Sequence, residues 1–296
     1  MLELLLLPSL LGLGLAMELL SPDDDPAEGD ETPVDITLDD ETAHFEGTSA
    51  KEHVQGNALD NLMFGDAGND LLGGHDGNDT LQGGTGDDRL FTSAGDDVGL
   101  GGEGNDKIFL GDGDDTTLDP NGTVQDAGDD FIRGGDGDDT LFDSQGHNHI
   151  HGDLGRDTIM TVDGLSPDGT IDETEESTPD TIHAGYGDDT LVGDDRDVMT
   201  GGEGADSFIV VKASDSPGAP AVITDFDFRD DLLSLVFVQD APVDPTVQFD
   251  FDFATKLLRA SVDGQEVATL FGLTPADIPF IQTFVTTLPE LLDNQA

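Results

Sequence analysis

Apolar residues recur at every ninth position through the middle of the chain. From Gly56 to Leu118 the sequence divides into seven nine-residue units without an insertion or a deletion, and the eighth residue is usually aliphatic, as in Leu72, Leu81 and Leu90. A short strand that turns one side chain per unit inward explains this period, whereas disorder gives no reason to keep it. The pattern therefore predicts short strands joined by tight turns.

The repeat continues, with interruptions, as far as residue 209. It resumes over residues 125–160, and after an acidic insert at 161–174 it runs over 175–209, where the segment 193–200 is out of phase. The fourteen in-phase units carry Asp at position six twelve times and Asn twice. Gly usually stands at position four, where it tolerates the positive φ of a tight turn and leaves backbone carbonyls pointing inward.

Four residues depart from the repeat. Leu59 and Thr178 stand where position four calls for Gly, so we expect distorted turns or edge coils there. Gly99 and Thr117 stand where position eight calls for an aliphatic side chain. Those coils should lose inward packing, by an amount that depends on how their neighbours close the gap.

The consensus G-G-x-G-x-D-x-U-x, with U aliphatic, resembles the nonapeptide of the repeats-in-toxin (RTX), or hemolysin-type, calcium-binding proteins over about residues 56–209. The resemblance implies an all-β fold: a right-handed parallel β-roll, or solenoid, with two units per coil and a C-terminal β-rich cap. It also implies Ca²⁺ ions between stacked turns, held by two position-six carboxylates and several turn carbonyls. Flexible all-oxygen coordination suits calcium better than magnesium.

The position-six aspartates are therefore the candidate metal ligands. The strongest pairs lie one coil apart: Asp70 with Asp88, Asp79 with Asp97, Asp88 with Asp106, Asp97 with Asp115 and Asp139 with Asp157. Pairs that use Asn61 or Asn148, or that span an insert, are weaker candidates. The full set is Asp70, Asp79, Asp88, Asp97, Asp106, Asp115, Asp130, Asp139, Asp157, Asp180, Asp189 and Asp206.

The charge balance agrees with a cation partner. The 296 residues include 66 acidic against 10 basic side chains, a net charge of −56, so nucleic acid is excluded as a partner. Apolar residues make up 35%, which indicates a small hydrophobic core, and Cys is absent. Without disulfides, bound metal is the obvious means of stabilising the fold.

The N-terminal segments lie outside the repeat. Residues 1–20 are apolar apart from Glu3, Ser9 and Glu18, and lack the basic residues of a secretory signal. A membrane-contacting or targeting role and a buried or fraying helix remain equal alternatives. Residues 21–55 have the composition of an acidic linker that ends in a strand near residues 34–38.

Residues 210–296 should form the β-rich cap. Alternating apolar residues predict a strand from Val247 to Phe253, and Asp263-Gly264 predicts a hairpin turn. Near the C-terminus, helical spacing links Ile281, Phe284, Val285 and Leu288. By resemblance, this tail is where an uncleaved type I secretion signal would lie; the alternative is a helix packed on the cap.

Two further kinds of chemistry can be weighed. Neither H-E-x-x-H nor G-x-S-x-G occurs, and the expectation is that the chain is not an enzyme. His147, His149 and His151 form H-x-H-x-H, in which His149 and His151 should share one face of a strand. Zinc, copper or nickel could bind there, although an exposed pair of histidines is the favoured interpretation.

The function predicted on these grounds is that of a secreted, extracellular protein whose β-roll folds on binding several Ca²⁺ ions, exported by a type I secretion apparatus. The alternative is a cell-surface adhesin or matrix protein anchored through residues 1–20. A polysaccharide-modifying enzyme is the least favoured alternative.

Overall fold

The computed structural model describes residues 33–119, 127–164, 178–212, 219–238 and 246–287. These residues form twenty-three β-strands and one short 3-10 helix, Ile278–Phe280, with no α-helix among them. The described residues contain no helix long and apolar enough to cross a membrane. The predictions for residues 1–20 fall outside the described residues. The all-β fold predicted from the sequence is confirmed.

Most strands are six residues or fewer and lie one per unit. The first seventeen are β1 Val34–Thr37, β2 His44–Thr48, β3 Glu52–Gln55, β4 Leu62–Ala67, β5 Leu71–Asp76, β6 Thr80–Thr85, β7 Arg89–Ala94, β8 Val98–Glu103, β9 Lys107–Asp112, β10 Phe131–Asp136, β11 Thr140–Phe142, β12 His149–Leu154, β13 Thr158–Met160, β14 Thr181–Tyr186, β15 Thr190–Gly193, β16 Val198–Glu203 and β17 Ser207–Lys212. The last six are β18 Ala221–Ile223, β19 Leu232–Phe237, β20 Val247–Asp252, β21 Leu257–Val262, β22 Gln265–Leu270 and β23 Thr283–Thr287.

Alternate strands build the two faces of a parallel β-roll. One face is a thirteen-stranded sheet in the order β1-β3-β5-β7-β9-β10-β12-β14-β16-β18-β22-β21-β20. The other contains the sheets β2-β4-β6-β8 and β11-β13-β15-β17-β19-β23, between which Thr116 bridges Val98 and Thr140. Leu72 pairs with Leu90, one full coil of two nine-residue units later, as the repeat predicts.

The core is a stack of single side chains. Position-eight residues such as Leu72, Leu81 and Ile108 are fully buried between the two faces. Gly99 leaves room for Leu110, because a β-carbon at Gly99 would lie 2.8 Å from a methyl of Leu110. Leu110 comes from position one of its unit and is itself fully buried, so a neighbouring coil fills part of the gap expected at Gly99.

The roll extends further toward the N-terminus than the sequence predicts. β1 and β3 pair in parallel with the strands that follow, Ile36 beside Val54 and Val54 beside Leu72. Part of the expected acidic linker at 21–55 therefore belongs to the stack. The physical reason is that Ile36, Phe45 and Val54 continue the nine-residue spacing of inward apolar residues although their turns have lost most of the glycines.

The C-terminal strands close the thirteen-stranded sheet. β18 pairs in parallel with β22, and the antiparallel strands β21 and β20 follow it. Asp263 and Gly264 have φ angles of 50° and 87° between β21 and β22, which confirms the predicted hairpin. The helical spacing near the C-terminus is misleading: residues 283–287 form β23, which pairs with β19. Three threonines and a valine suit that strand, and β19 supplies the hydrogen-bonding edge.

Leu110→Ala should lower the free energy of unfolding in saturating calcium by about 2–5 kcal/mol, because it leaves a cavity beside Gly99. Leu62→Ala is the matched control, since Leu62 is 39% exposed and its loss should cost much less. Urea unfolding of both variants measures the difference. Equal losses would contradict the assignment of Leu110 to the core.

Candidate metal centre

The position-six side chains form two rows, one along each edge of the roll. In each row, a side-chain oxygen accepts a hydrogen bond from the backbone N–H of the row member one coil earlier, at 2.6–3.0 Å. The first row is Glu52, Asp70, Asp88, Asp106, Asp130, Asn148, Asp180 and Asp197. The second is Asn61, Asp79, Asp97, Asp115, Asp139, Asp157, Asp189, Asp206 and Asp231.

These rows contain every predicted ligand. The members of all five strongest pairs are neighbours in a row. The structure also makes neighbours of pairs that span the inserts, such as Asp106 with Asp130 and Asp157 with Asp189. Inserts of different lengths therefore leave the rows intact, because the units on either side of an insert still stack with their position-six residues next to each other.

Many of the row carboxylates are buried with one oxygen that makes no hydrogen bond within the described residues. While Oδ1 accepts the backbone hydrogen bond, Oδ2 is buried and has no hydrogen-bond partner among the described protein atoms at Asp70, Asp79, Asp88, Asp97, Asp115, Asp139, Asp157, Asp180 and Asp189. A buried ionised oxygen without a partner is costly, and a cation is the group that would satisfy it.

The electrostatics lead to the same conclusion. Burial, and to a smaller extent the charges of their row neighbours, raises the pKa of Asp88 and Asp139 to about 8. Burial likewise raises the pKa of Asp79 and Asp157 to about 7. At neutral pH the bare rows therefore bind protons, and a divalent cation would compete with these protons for the carboxylates.

Backbone carbonyls lie beside the unsatisfied oxygens. A β-carbon built on Gly65 would lie 2.5 Å from Oδ2 of Asp70 and 2.5 Å from the carbonyl oxygen of Gly83. One built on Gly134 would lie 2.1 Å from Oδ2 of Asp139 and 2.9 Å from the carbonyl oxygen of Gly152. In these two units the glycine at position one leaves a space beside the carboxylate. Carboxylate and carbonyl oxygens line this space, and they are the donors that calcium prefers.

Comparison with known families identifies the repeat. A family model described as the RTX calcium-binding nonapeptide repeat, in 4 copies, matches residues 46–81, 73–107, 91–117, 125–159 and 177–208. These repeats belong to the RTX calcium-binding family. No curated protein sequence matches the chain.

A solved structure, that of the extracellular lipase LipA from Serratia marcescens, is similar to this chain at 16% sequence identity and a TM-score of 0.23. The match covers 79% of this chain but only 40% of the lipase chain. Because a matching protein is an enzyme, the prediction that this chain is not an enzyme is contradicted and is withdrawn. RTX repeats alone show no enzymatic activity, so no activity follows for this chain.

The RTX rows include three acidic residues that the sequence analysis missed. Asp197 continues the first row after Asp180, and Asp231 continues the second row after Asp206, while Glu52 begins the first row. Two of them, Asp197 and Asp231, could have been recognised from the pattern of the last four residues of a unit. An acidic residue stands two places before a buried apolar one in Asp197-Val198-Met199 and in Asp231-Leu232-Leu233, although the preceding turns do not fit the consensus.

The three histidines of the H-x-H-x-H segment do not meet at one point. His147 lies in a turn, 3.3 Å from Oδ1 of Asp129. His149 and His151 flank buried Ile150, as predicted, and His151 stacks on His183 with ring centroids 5.1 Å apart. Among the described residues, no three His, Cys, Asp or Glu side chains group as metal ligands, so any ion here needs backbone carbonyls as well.

The raised pKa values predict how the calcium-free roll responds to acid. The carboxylates have a pKa near 3.8 when unfolded and about 7–8 when buried in the rows, so folding takes up protons between these values. The calcium-free roll should therefore gain stability as pH falls from about 8 toward 4, and gain no more below about 4.

Far-UV circular dichroism in chelator, recorded from pH 8 to pH 4, tests this response. The β signal should grow as the pH falls, whereas in calcium the midpoint calcium concentration should rise over the same range because protons compete. A chelated chain whose β signal declines with acid would contradict the buried rows.

Proposed function

We propose that this chain is a secreted protein whose RTX roll folds when calcium binds along its two acidic rows. The observation that carries the proposal is the set of buried row aspartates, such as Asp88 and Asp97, in which one oxygen accepts a hydrogen bond from the preceding coil and the other has no hydrogen-bond partner among the described protein atoms. Bound calcium would neutralise the negative charge of these oxygens.

The ions would be held by successive members of a row together with position-one carbonyls. Asp79 and Asp97 exemplify such a pair in the second row, and the carbonyl oxygen of Thr92 lies near Oδ2 of Asp79. Thr92 stands at position one of its unit and is fully buried. All the donors are therefore hard oxygen atoms, which favours Ca²⁺ over softer metals.

Electrostatic repulsion explains why calcium would control folding. Without a cation, stacking the coils brings like charges together, and the row neighbours of Asp88 raise its pKa for this reason. Calcium binds the stacked state and not the extended chain, so each ion shifts the equilibrium toward the roll by mass action. The affinities of extracellular calcium modules, about 10⁻⁴ to 10⁻³ M, suit a switch that operates outside the cell.

The dependence of folding on calcium would also allow the chain to be exported before it folds. A chain with a net charge of −56 that stays extended where calcium is scarce could pass through a narrow channel and fold on leaving it. The resemblance to RTX proteins supports the type I secretion apparatus as the partner in this step. Its signal would lie near the C-terminus, which includes the residues beyond Thr287 that the structure does not describe.

A calcium titration followed by far-UV circular dichroism tests the folding switch. We expect a cooperative gain of β signal near millimolar calcium, with no gain in magnesium at the same concentration. A spectrum that is already rich in β-structure in chelator at pH 8, or that never responds to calcium, would overturn the proposal.

Asp79→Asn should raise the calcium concentration at the folding midpoint several-fold, because it removes one carboxylate from the second row. Asp76→Asn is the matched control: it removes the same charge from the same unit, but Asp76 is exposed. Calcium titrations of the two variants and the parent chain give the midpoints. Equal shifts would mean that overall charge, and not the row, governs the response.

A further inference from the structure

A groove lies on the surface of the roll over four neighbouring strands of the thirteen-stranded sheet. It follows the C-terminal ends of β9, β10, β12 and β14, which are adjacent in the sheet order, and it has a volume of about 450 Å³. Such a volume is in the range of ligand-binding clefts. The residues that line it include no row carboxylate, so the groove needs an explanation of its own.

The shape of the groove comes from two glycines. Gly111 on β9 and Gly135 on β10 lie side by side at φ angles of 128° and 129°, whereas the next strands on either side carry Ser93 and Asp153 at the same place. A β-carbon on Gly135 would lie 2.0 Å from the carbonyl oxygen of Gly111. The stacking of the coils therefore keeps the middle of the groove free of side chains.

The backbone under the groove offers no free edge to a ligand. Each of the four strands has a paired neighbour on both sides. Beside the groove, the N–H of Gly137 donates to the carbonyl oxygen of Leu154 at 2.7 Å, and the N–H of Gly155 donates to that of Tyr186 at 2.9 Å. An extended peptide therefore has no edge to which it can add as a strand, and side chains have to provide the recognition.

Apolar side chains stand at both ends of the groove. Phe109, on β9, is held by Phe91, whose ring is parallel to within 4° at a centroid distance of 5.0 Å. Tyr186, on β14, is 56% exposed and makes no ring contact with the described residues, and Leu154 on the neighbouring strand is 45% exposed. Exposed rings and aliphatic side chains bind the apolar faces of a ligand.

Charged side chains lie between these two ends. Asp112 and Asp136 are register partners on β9 and β10, both are exposed, and their carboxylates form no hydrogen bond or ion pair with the described residues. Like charges on adjacent strands repel, so a cationic group beside them would be stabilising. Arg133 donates from Nε to Oδ2 of Asp153, and its other guanidinium nitrogens, which bond to none of the described residues, can donate to hydroxyl groups.

We propose that the groove binds a short extended chain of amino-sugar residues. Neighbouring strands lie about 4.8 Å apart, so the four strands extend over roughly 14 Å, and the side chains along them repeat at nearly the length of one sugar ring. The ammonium groups pair with Asp112 and Asp136. The hydroxyl groups bind Arg133, and the apolar ring faces pack on Tyr186. Sugars that carry acidic groups are excluded, because the chain has a net charge of −56.

Isothermal titration calorimetry with a linear glucosamine tetramer, in saturating calcium and about 0.15 M salt, tests the charged part of the site. Asp136→Asn should weaken the affinity about 2–5-fold, the usual effect of losing one exposed ion pair. Asp76→Asn is the matched control, because Asp76 is exposed at the same position of its unit on β5 and lies outside the groove. Equal weakening in the two variants would mean that the tetramer responds only to overall charge, and would overturn the site.

Tetralysine separates sugar recognition from charge, because it has at least as many ammonium groups but no sugar rings. Tyr186→Ala should weaken the binding of the glucosamine tetramer several-fold and leave the binding of tetralysine unchanged. Phe253→Ala, which removes a ring that is 79% exposed in the cap, should change neither. Failure of the parent chain to bind the glucosamine tetramer, or an equal loss of tetralysine affinity in Tyr186→Ala, would overturn the inference.

Discussion

The hydrogen bond from a backbone N–H to the carboxylate of the next coil is the interaction on which this structure depends. It fixes the spacing of the coils, buries the acidic side chain and consumes only one of its two oxygens. The apolar core cannot replace it in the repeats, because most strands of the nonapeptide units contribute little more than one inward apolar side chain, such as Leu81. The fold therefore gathers negative charge in two lines in its interior, and that charge must be neutralised by protons or by cations.

The glycines and aspartates of the repeat act as one unit. Gly134 leaves the space into which Oδ2 of Asp139 projects, and the carbonyl of the next coil lies on its other side. A side chain on Gly134 would fill this space, which gives a steric reason for glycine in that unit. Leu110, at position one of another unit, is buried and packs beside Gly99.

The strictly periodic part of the fold could be predicted from the sequence, because a nine-residue period determines strand length, register and the position of each carboxylate at once. The ends could not. Glu52, Asp197 and Asp231 join the rows through turns that do not fit the consensus, and only the spacing between an acidic residue and a buried apolar one signals them. Around Phe284 the apolar spacing predicted a helix, but the segment forms a strand because the edge of β19 is available for pairing. Such pairing is a tertiary effect, and the local spacing of apolar residues gives no information about it.

The rows also have a direction. Each row member after Glu52 and Asn61 accepts a hydrogen bond from the coil that precedes it in the sequence. The last acceptor of the second row, Asp231, belongs to the cap and also accepts a hydrogen bond from the N–H of Asp227. A roll assembled from its C-terminal end would offer each arriving coil an acceptor that is already in place. Assembled from the other end, every newly added coil would hold a buried donor unsatisfied until its successor arrived. The cap is therefore the natural starting point for stacking the coils. The two ends of the stack are not equivalent, as in a filament whose ends differ.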